Sequence, residues 1–412
     1  MLLILDGFGE GKPTPTNAVH MAKTPFIDQL RKDYPTTLIE PGGANVGVLE
    51  KMFGSSGVGH NTIGTGTCVR QAIKVIDDAL KSGEFFENSE LIGAIQHAKK
   101  NNSNLHLFGI GADSMLHAYK PFIFGLLDLC NQENFPGERV FLHLATDGRD
   151  NPPNQGIEDF AHIEKICQEK GVGKIASIIG RIFYDRGQDW PRTEALYNLF
   201  TDPEHETITD HQAYLTEEYK KEIWDQMHQP KAIADENGIL PRMNSNDAII
   251  NFAIRADRGR QPTQAIADPD FDGFERKKKL ENIYFVGLIP YDHAYDRFAN
   301  YAFEEDVCKV CLSEVVEQAG YKHLHMAGKE KFIFVTYNFN RCENLNLPHQ
   351  RNIMAPQTKE VDTFDLNPEM SAPNVTKNLL DELDKGEQDL YFINYENPDQ
   401  VGHTGDLQAA IE

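Results

Sequence analysis

"LYFINYENPDQVGH", residues 390 to 403, sets a largely apolar run directly against a stretch of carboxylate, amide and imidazole side chains. A strand covered on both faces reads as such a run, whereas a half-exposed strand alternates. The pattern recurs along the chain: "LLIL" (2–5) runs into Asp6, and "VFLHLA" (140–145) runs into "TDGRD" (146–150). Further short apolar runs, "LHLFGI" (105–110), "KIASIIG" (174–180), "AIINFAI" (248–254) and "KFIFVTY" (331–337), read as strands. They alternate with stretches of helical period such as "IDQLRKDY" (27–34), "NQGIEDFAHIEKICQEK" (154–170) and "SEVVEQAG" (313–320). This predicts an α/β fold with largely parallel, doubly covered sheets. In such sheets the carboxyl ends of the strands face the ligand crevice, so the polar residues after each run are the site candidates.

The chain has 412 residues, 40% of them apolar, enough for a large core and for two domains. The segment 72–305 carries most of the arginines and reads as a domain inserted into another formed by 1–71 and 306–412. "GLIPYDHAYDRFANYAFEED" (287–306) reads as the return connection. Met1 opens directly on a strand and "GDLQAAIE" (405–412) starts a helix without a stop signal, which suggests a fragment. The formal charge of -23 argues against nucleic acid or an anionic membrane as the main partner, so an anionic substrate needs a local arginine cluster. "MLLILDG" is too short to span a membrane. The six cysteines are scattered and read as thiols of a cytoplasmic protein; Cys308 and Cys311, a lone C-x-x-C, read as structural rather than zinc-binding or redox-active.

Asp399 and His403 stand four residues apart, so on a helical turn both face one way and can grip one cation; the alternative is a helix-capping Asp with a solvent-facing His. Asp6 is open to the same choice, a metal ligand or part of an Asp-Gly turn. "GSSGVGH" (54–60) reads either as a glycine-rich turn with a capping serine or as a loop that presents a serine to the metal. A serine hydroxyl needs a base or a metal before it is a useful nucleophile. His60 is more readily a packing or hydrogen-bonding residue than the serine's base, because no Asp partner is visible in the sequence.

Arginines gather in three places: Arg149 beside Asp150, then Arg181, Arg186 and Arg192, then Arg255, Arg258 and Arg260. Guanidinium forks suit carboxylate and phosphate, so together they suggest a pocket for a small dianion, although any one of them could form a surface salt bridge. His117 lies in a loop after "LHLFGI" and suits acid and base work if it faces that pocket. Lys331, just before "FIFVTY", is either a solubilising edge residue or a phosphate ligand.

Taken in order, "LLILDGFGE", "MFGSSGVGHNTIGTG", "DSMLH", "TDGRDNPPNQG", "GRIFYDR", "INFAIRADR", "EKFIFVTYNFN", "MSAPNVT" and "NYENPDQVGHTG" resemble the cofactor-independent phosphoglycerate mutases, a branch of the alkaline phosphatase superfamily. The resemblance covers the chain almost end to end. It implies an alkaline-phosphatase-like metal domain formed from both chain ends and an inserted α/β domain that closes over it. It implies interconversion of 3-phosphoglycerate and 2-phosphoglycerate with two manganese or other divalent ions, in a cytoplasmic, monomeric enzyme. By motif match Ser56 takes the phosphoryl group; Asp399 and His403 hold one metal; Asp6, with the Ser56 oxygen, holds the second. His117, Arg149, Asp150, Arg181, Arg186, Arg255 and Arg258 match substrate positions, Lys331 matches a phosphate contact, and His117 and Asp150 match the groups that handle the glycerate protons.

Departures from the family pattern are Ser55 in place of Asn, Gly57 in place of Glu, Thr67 in place of Arg, "GADSM" in place of "LSDGG", and an Arg181–Arg186 interval one residue short. Relatives continue past "VGHTG" for about 100 residues, on the scale of a domain segment, and supply further metal ligands there. The expectation is therefore an incomplete metal cage and a chain of little or no activity. The alternatives are another phosphotransferase or hydrolase of the superfamily, or a non-catalytic relative that only binds.

Overall fold

The apolar runs become strands with one exception. The computed structural model describes residues 1–412 and contains thirteen strands: β1 Leu2–Leu5, β2 Leu105–Ile110, β3 Val140–Thr146, β4 Lys174–Gly180, β5 Thr207–Ile208, β6 Lys231–Asp235, β7 Gly238–Ile239, β8 Ala248–Asn251, β9 Tyr284–Gly287, β10 Asn300–Tyr301, β11 His323–Gly328, β12 Gln350–Ala355 and β13 Leu390–Tyr395. The chain divides into two units, residues 1–70 with 306–412, and residues 71–305.

The first unit holds a four-stranded, all-parallel sheet in the order β1-β13-β11-β12. Its core packs Leu324 and Met326 of β11 and Ile393 of β13 against Val375 and Leu379 of the helix Ala372–Lys385. The two central strands, β13 and β11, are the buried ones, whereas the edge strands β1 and β12 are partly exposed.

"KFIFVTY" is the exception. It forms the start of a helical turn and then a π-helix, Phe334–Asn338, closed by the Phe339 N–H to the Phe334 carbonyl at 3.0 Å. A short apolar run cannot be told from a buried helical segment by pattern alone. The strand before it is "HLHMAG", whose alternating histidines hide the apolar signal. Both histidines are buried, and His323 Nδ1 meets His325 Nε2 at 2.9 Å while His325 Nδ1 donates to the Val335 carbonyl at 2.6 Å.

The second unit holds the larger sheet, ordered β10-β9-β8-β2-β3-β4-β6-β5, with β7 paired to β6. From β9 through β4 the pairing is parallel; β6 runs antiparallel to β4. One face packs Phe108, Ile110, Ile179 and Ile249 against Leu196, Tyr197 and Phe200 of the helix Trp190–Thr201, with Phe285 of β9 beside them. Each such fully buried side chain contributes about 1.5–3 kcal/mol.

A polar ladder crosses this sheet at mid-height. Ser177 Oγ lies 2.7 Å from His143 Nδ1, His143 Nε2 lies 2.9 Å from His106 Nδ1, and His106 Nε2 lies 3.1 Å from Asp247 Oδ2. Burial lowers the pKa of both imidazoles. Neutral rings then give one consistent direction: serine donates to His143, His143 to His106, and His106 to the carboxylate. Asp247 also accepts from the backbone N–H groups of Asn104 and Asn244 at 2.9 and 2.7 Å. Asp247→Ala should therefore orphan the buried His106 donor and leave two partly exposed backbone donors to water, at a cost of about 2 kcal/mol. A urea-midpoint loss equivalent to less than about 1 kcal/mol would show that water or repacking replaces the carboxylate.

Candidate functional site

In the first unit three adjacent strands, β1, β13 and β11, end at the same edge of the sheet, and each leads into a charged residue. Asp6 follows β1; its N–H donates to the Tyr395 carbonyl at 3.0 Å, and its own carbonyl receives the Asp399 N–H at 3.0 Å. The turn after it has to be glycine. Gly7 has φ +79°, and a Cβ there would lie 2.4 Å from the Asp399 nitrogen. The Asp-Gly turn is present, and it is compatible with the other reading of Asp6, because the turn is what lets the two loops approach.

The two serines separate by role. Ser55 caps the helix Ser56–Thr65, its Oγ accepting from the Val58 N–H at 3.3 Å. Ser56 is the first helical residue, and its Oγ donates to Asp6 Oδ1 at 3.1 Å and accepts from Lys331 Nζ at 2.6 Å. The N-terminal end of a helix also favours negative charge on that oxygen. Lys331, which follows β11, reaches Asp399 Oδ2 at 2.5 Å and Asp6 Oδ2 at 3.3 Å, with its side chain 3% exposed. That excludes the solubilising role.

His60 sits one turn after Ser56, with Nδ1 2.7 Å from the Ser56 carbonyl and Nε2 3.0 Å from Asn394 Nδ2. Both ring nitrogens are engaged, and burial lowers its pKa, so it is a neutral bracket and not the serine's base. His403 lies 3.7 Å from Asp399 Oδ2 and is 74% exposed. The side chains of Asp6, Asp399 and Ser56 offer oxygen donors suited to a hard divalent cation, and His403 adds a nitrogen. Their donor chemistry fits such an ion, although no three His, Cys, Asp or Glu side chains are grouped tightly enough to hold one unaided.

In the second unit β8, β2, β3 and β4 are consecutive neighbours, and their carboxyl ends carry the remaining candidates. Arg181, at the end of β4, is 2% exposed; its Nη1 pairs with Asp147 and with Asp150 Oδ2, the latter at 2.6 Å. His117 is buried rather than on the surface, with Nε2 3.9 Å from Asp150 Oδ2 and Nδ1 3.7 Å from Asp257 Oδ1. Its pKa is lowered to about 3, first by burial and then by Arg181, with Asp257 opposing and Arg255 and Arg258 adding to the fall. Arg258 is buried, and its pKa is pushed down to about 10 by burial and by Arg181, Arg186 and Arg149. Its Nη1 donates to the Tyr184 carbonyl at 2.6 Å, while the Nε atoms of Arg258 and Arg181 have no protein partner. Arg186 pairs with Asp257 at 2.8 Å, and Arg149 and Arg255 are exposed. Arg192 pairs with Asp189 and Arg260 with the Tyr291 carbonyl, so these two follow the salt-bridge and structural reading instead.

A family model described as the N-terminus of BPG-independent PGAM matches residues 76–293. The 2,3-bisphosphoglycerate-independent phosphoglycerate mutase of Salinibacter ruber is 37% identical over all of this chain and 79% of its own length. That of Moorella thermoacetica is 38% identical, again over all of this chain and 79% of its own length. This chain belongs to the 2,3-bisphosphoglycerate-independent phosphoglycerate mutases. A solved Leishmania mexicana phosphoglycerate mutase, crystallised at low cobalt concentration, matches with a TM-score of 0.73 and 27% identity over all of this chain and 76% of that one. The fold is therefore the mutase fold, alkaline-phosphatase-like with an inserted domain, and the activity is the isomerisation of 3-phosphoglycerate and 2-phosphoglycerate. No helix is long and apolar enough to cross a membrane.

Four residues of this mutase escaped the sequence reading. Asn394, the polar residue inside "LYFINY", is fully buried and donates to Asp6 Oδ2 at 3.1 Å as well as meeting His60. Glu396 is also fully buried and accepts from Ser371 Oγ, Gln357 Nε2 and the Glu330 N–H, which fixes the loop before Lys331. Asp147 and Asp257 anchor the arginines. The available signal was a polar residue inside or directly after an apolar run; their partners were not visible. Lys331→Met should leave Asp6 and Asp399 without their buried counter-charge and cost about 3 kcal/mol. Urea denaturation in the presence of a chelator measures this, and an unchanged midpoint would mean that the ammonium does not hold the two loops together.

Proposed function

We propose that the mutase reaction runs through Ser56 as the phosphoryl acceptor. The observation that supports it is one hydroxyl at a helix N-terminus, held by hydrogen bonds to Asp6 and Lys331. The Ser56 proton lies in the hydrogen bond to Asp6 Oδ1, so the carboxylate can take it as the serine oxygen bonds to phosphorus and the bond from phosphorus to the glycerate oxygen breaks. The freed oxygen takes up a proton from the His117 and Asp150 pair, and the other glycerate hydroxyl then takes the phosphoryl group back from Ser56. The Lys331 ammonium neutralises charge on the transferred group and on the serine oxygen. Asp6, Ser56, Asp399 and His403 would hold divalent metal, manganese or a similar ion, which when bound lowers the pKa of the serine hydroxyl and screens phosphate charge.

The arginines Arg149, Arg181, Arg186, Arg255 and Arg258 would bind the carboxylate and phosphate of phosphoglycerate, with Asp147, Asp150 and Asp257 keeping the forks in place beforehand. His117 and Asp150 would exchange protons with the two glycerate hydroxyls. The depressed pKa of His117 keeps it neutral, and thus able to accept a proton, throughout the physiological range. In this reading residues 1–71 and 306–412 form the metal-binding, phosphatase-like domain, and residues 72–305 the substrate-binding transferase domain. All six cysteines are free thiols, which fits a reducing cytoplasm.

In a chain continued at its C-terminus to the length of its relatives, Ser56→Ala should lower conversion of 3-phosphoglycerate by roughly 10⁴-fold or more, the scale seen when a covalent nucleophile is lost. Phosphorus NMR of substrate incubated with parent and variant measures it, and conversion within tenfold of the parent would overturn the phosphoserine step. Manganese should raise the melting temperature of the chelator-treated chain, and should do so less in Asp399→Asn; an equal rise in both would remove Asp399 from the ligand set.

A further inference from the structure

We propose that Asp257 is a positioning residue of this site: it fixes the tautomer of His117 and lends that imidazole basicity when substrate draws Arg186 away. This role rests on His117 as a proton-handling group. Asp257 lies on the first turn of the helix Ala256–Ala267, between the two arginines Arg255 and Arg258. Its Oδ2 accepts from Arg186 Nη1 at 2.8 Å; its Oδ1 accepts from the Arg258 N–H at 2.9 Å and stands 3.7 Å from His117 Nδ1. One carboxylate thus touches two proposed substrate-binding residues and faces a third.

The charged groups facing His117 come from three directions. Asp257, Arg255 and Arg258 belong to this helix and its cap, Asp150 to the turn after β3, and Arg181 to the end of β4. The two carboxylates address opposite edges of the ring, Asp257 at Nδ1 and Asp150 at Nε2. A proton kept on Nδ1 by Asp257 leaves the Nε2 lone pair as the base, on the side of the ring where Asp150 also sits. At 3.7 and 3.9 Å neither contact is a hydrogen bond without ligand, and contacts of this kind in active sites commonly close to hydrogen-bond distance when ligand binds.

Without substrate, the carboxylate is engaged elsewhere. Burial raises the pKa of Asp257, but the Arg186 hydrogen bond and the charges of Arg255 and Arg186 outweigh it and hold the pKa low. A bound phosphoglycerate offers Arg186 a better-matched anion and screens Arg181, Arg255 and Arg258. Each change removes an influence that disfavours a cation at His117, and Asp257 is left with His117 as its partner. Proton uptake then occurs on Nε2, from a glycerate hydroxyl, with the Nδ1 proton retained.

The test is nitrogen-15 NMR of the His117 ring in the full chain, with and without 2-phosphoglycerate, in the parent and in Asp257→Asn. In the parent the ligand should raise the His117 titration midpoint by about one pH unit or more and leave the proton of the neutral ring on Nδ1. With the midpoint read at saturating ligand in every variant, the rise should fall by at least about half in Asp257→Asn, and Asp257→Glu should restore part of it. The same rise and the same tautomer in Asp257→Asn would overturn the role of Asp257. His117→Gln separates the two layers: full turnover in that variant would overturn the acid-base reading of His117 together with this one. An inactive His117→Gln beside an unaffected Asp257→Asn would remove Asp257 alone.

Discussion

The buried ammonium of Lys331 is the interaction on which the first unit depends. Three parallel strands deliver Asp6, Asp399 and the Lys331 loop to one edge, and two carboxylates brought that close repel unless a cation stands with them. A salt bridge at the surface is worth little, but here removal of one partner leaves uncompensated charge in a place water reaches poorly. The arrangement therefore couples fold to chemistry. The charge that lets the loops pack is the same charge that meets the Ser56 oxygen, and a metal ion would compete for the same carboxylates.

The second unit solves the opposite problem. Its strand ends deliver guanidinium groups, and Asp147, Asp150 and Asp257 neutralise them. Asp147 pairs with Arg181 while also accepting from the Arg149 and Asp150 backbone N–H groups at 3.3 Å, so one carboxylate shapes the turn and aims the arginine. In the proposed reading, binding of a dianion would exchange one set of anions for another, with the forks already oriented. The unpaired Nε atoms of Arg181 and Arg258 are consistent with capacity left for a ligand.

Much of this was legible because chemistry follows strands in a parallel sheet. Asp6, Asp399, Asp150 and Arg181 each stand directly after an apolar run or within a few residues of one, and the strand predicts their place. The misread strand shows the limit. "KFIFVTY" is as apolar as β13 but winds into a π-helix, while "HLHMAG", interrupted by two histidines, is a fully buried strand whose rings bond to each other and to the Val335 carbonyl. Lys331 was read as standing just before a strand, whereas in the structure it follows β11 and opens the helical turn. Asn394, Asp147 and Asp257 were not found, since their importance lies in contacts with residues up to hundreds of positions away. His117 is an intermediate case: the loop was evident, but burial between two carboxylates was not.

The ladder from Ser177 to Asp247 explains why the strand ends of the second unit meet at one level. A parallel sheet of apolar strands specifies register weakly, since one Val, Ile or Leu replaces another at little cost. A one-residue slip moves every side chain to the other face, and a polar chain that spans four strands makes such a slip costly. Here each link lies on a different strand or its preceding turn: Ser177 on β4, His143 on β3, His106 on β2 and Asp247 immediately before β8. Slipping any of the four would break one or two buried hydrogen bonds and leave a donor without water. The same four strands end in Arg181, in Asp147 and Asp150, in the His117 loop, and in Arg255 and Arg258. The ladder touches none of these residues, yet it sets the register from which all of them project.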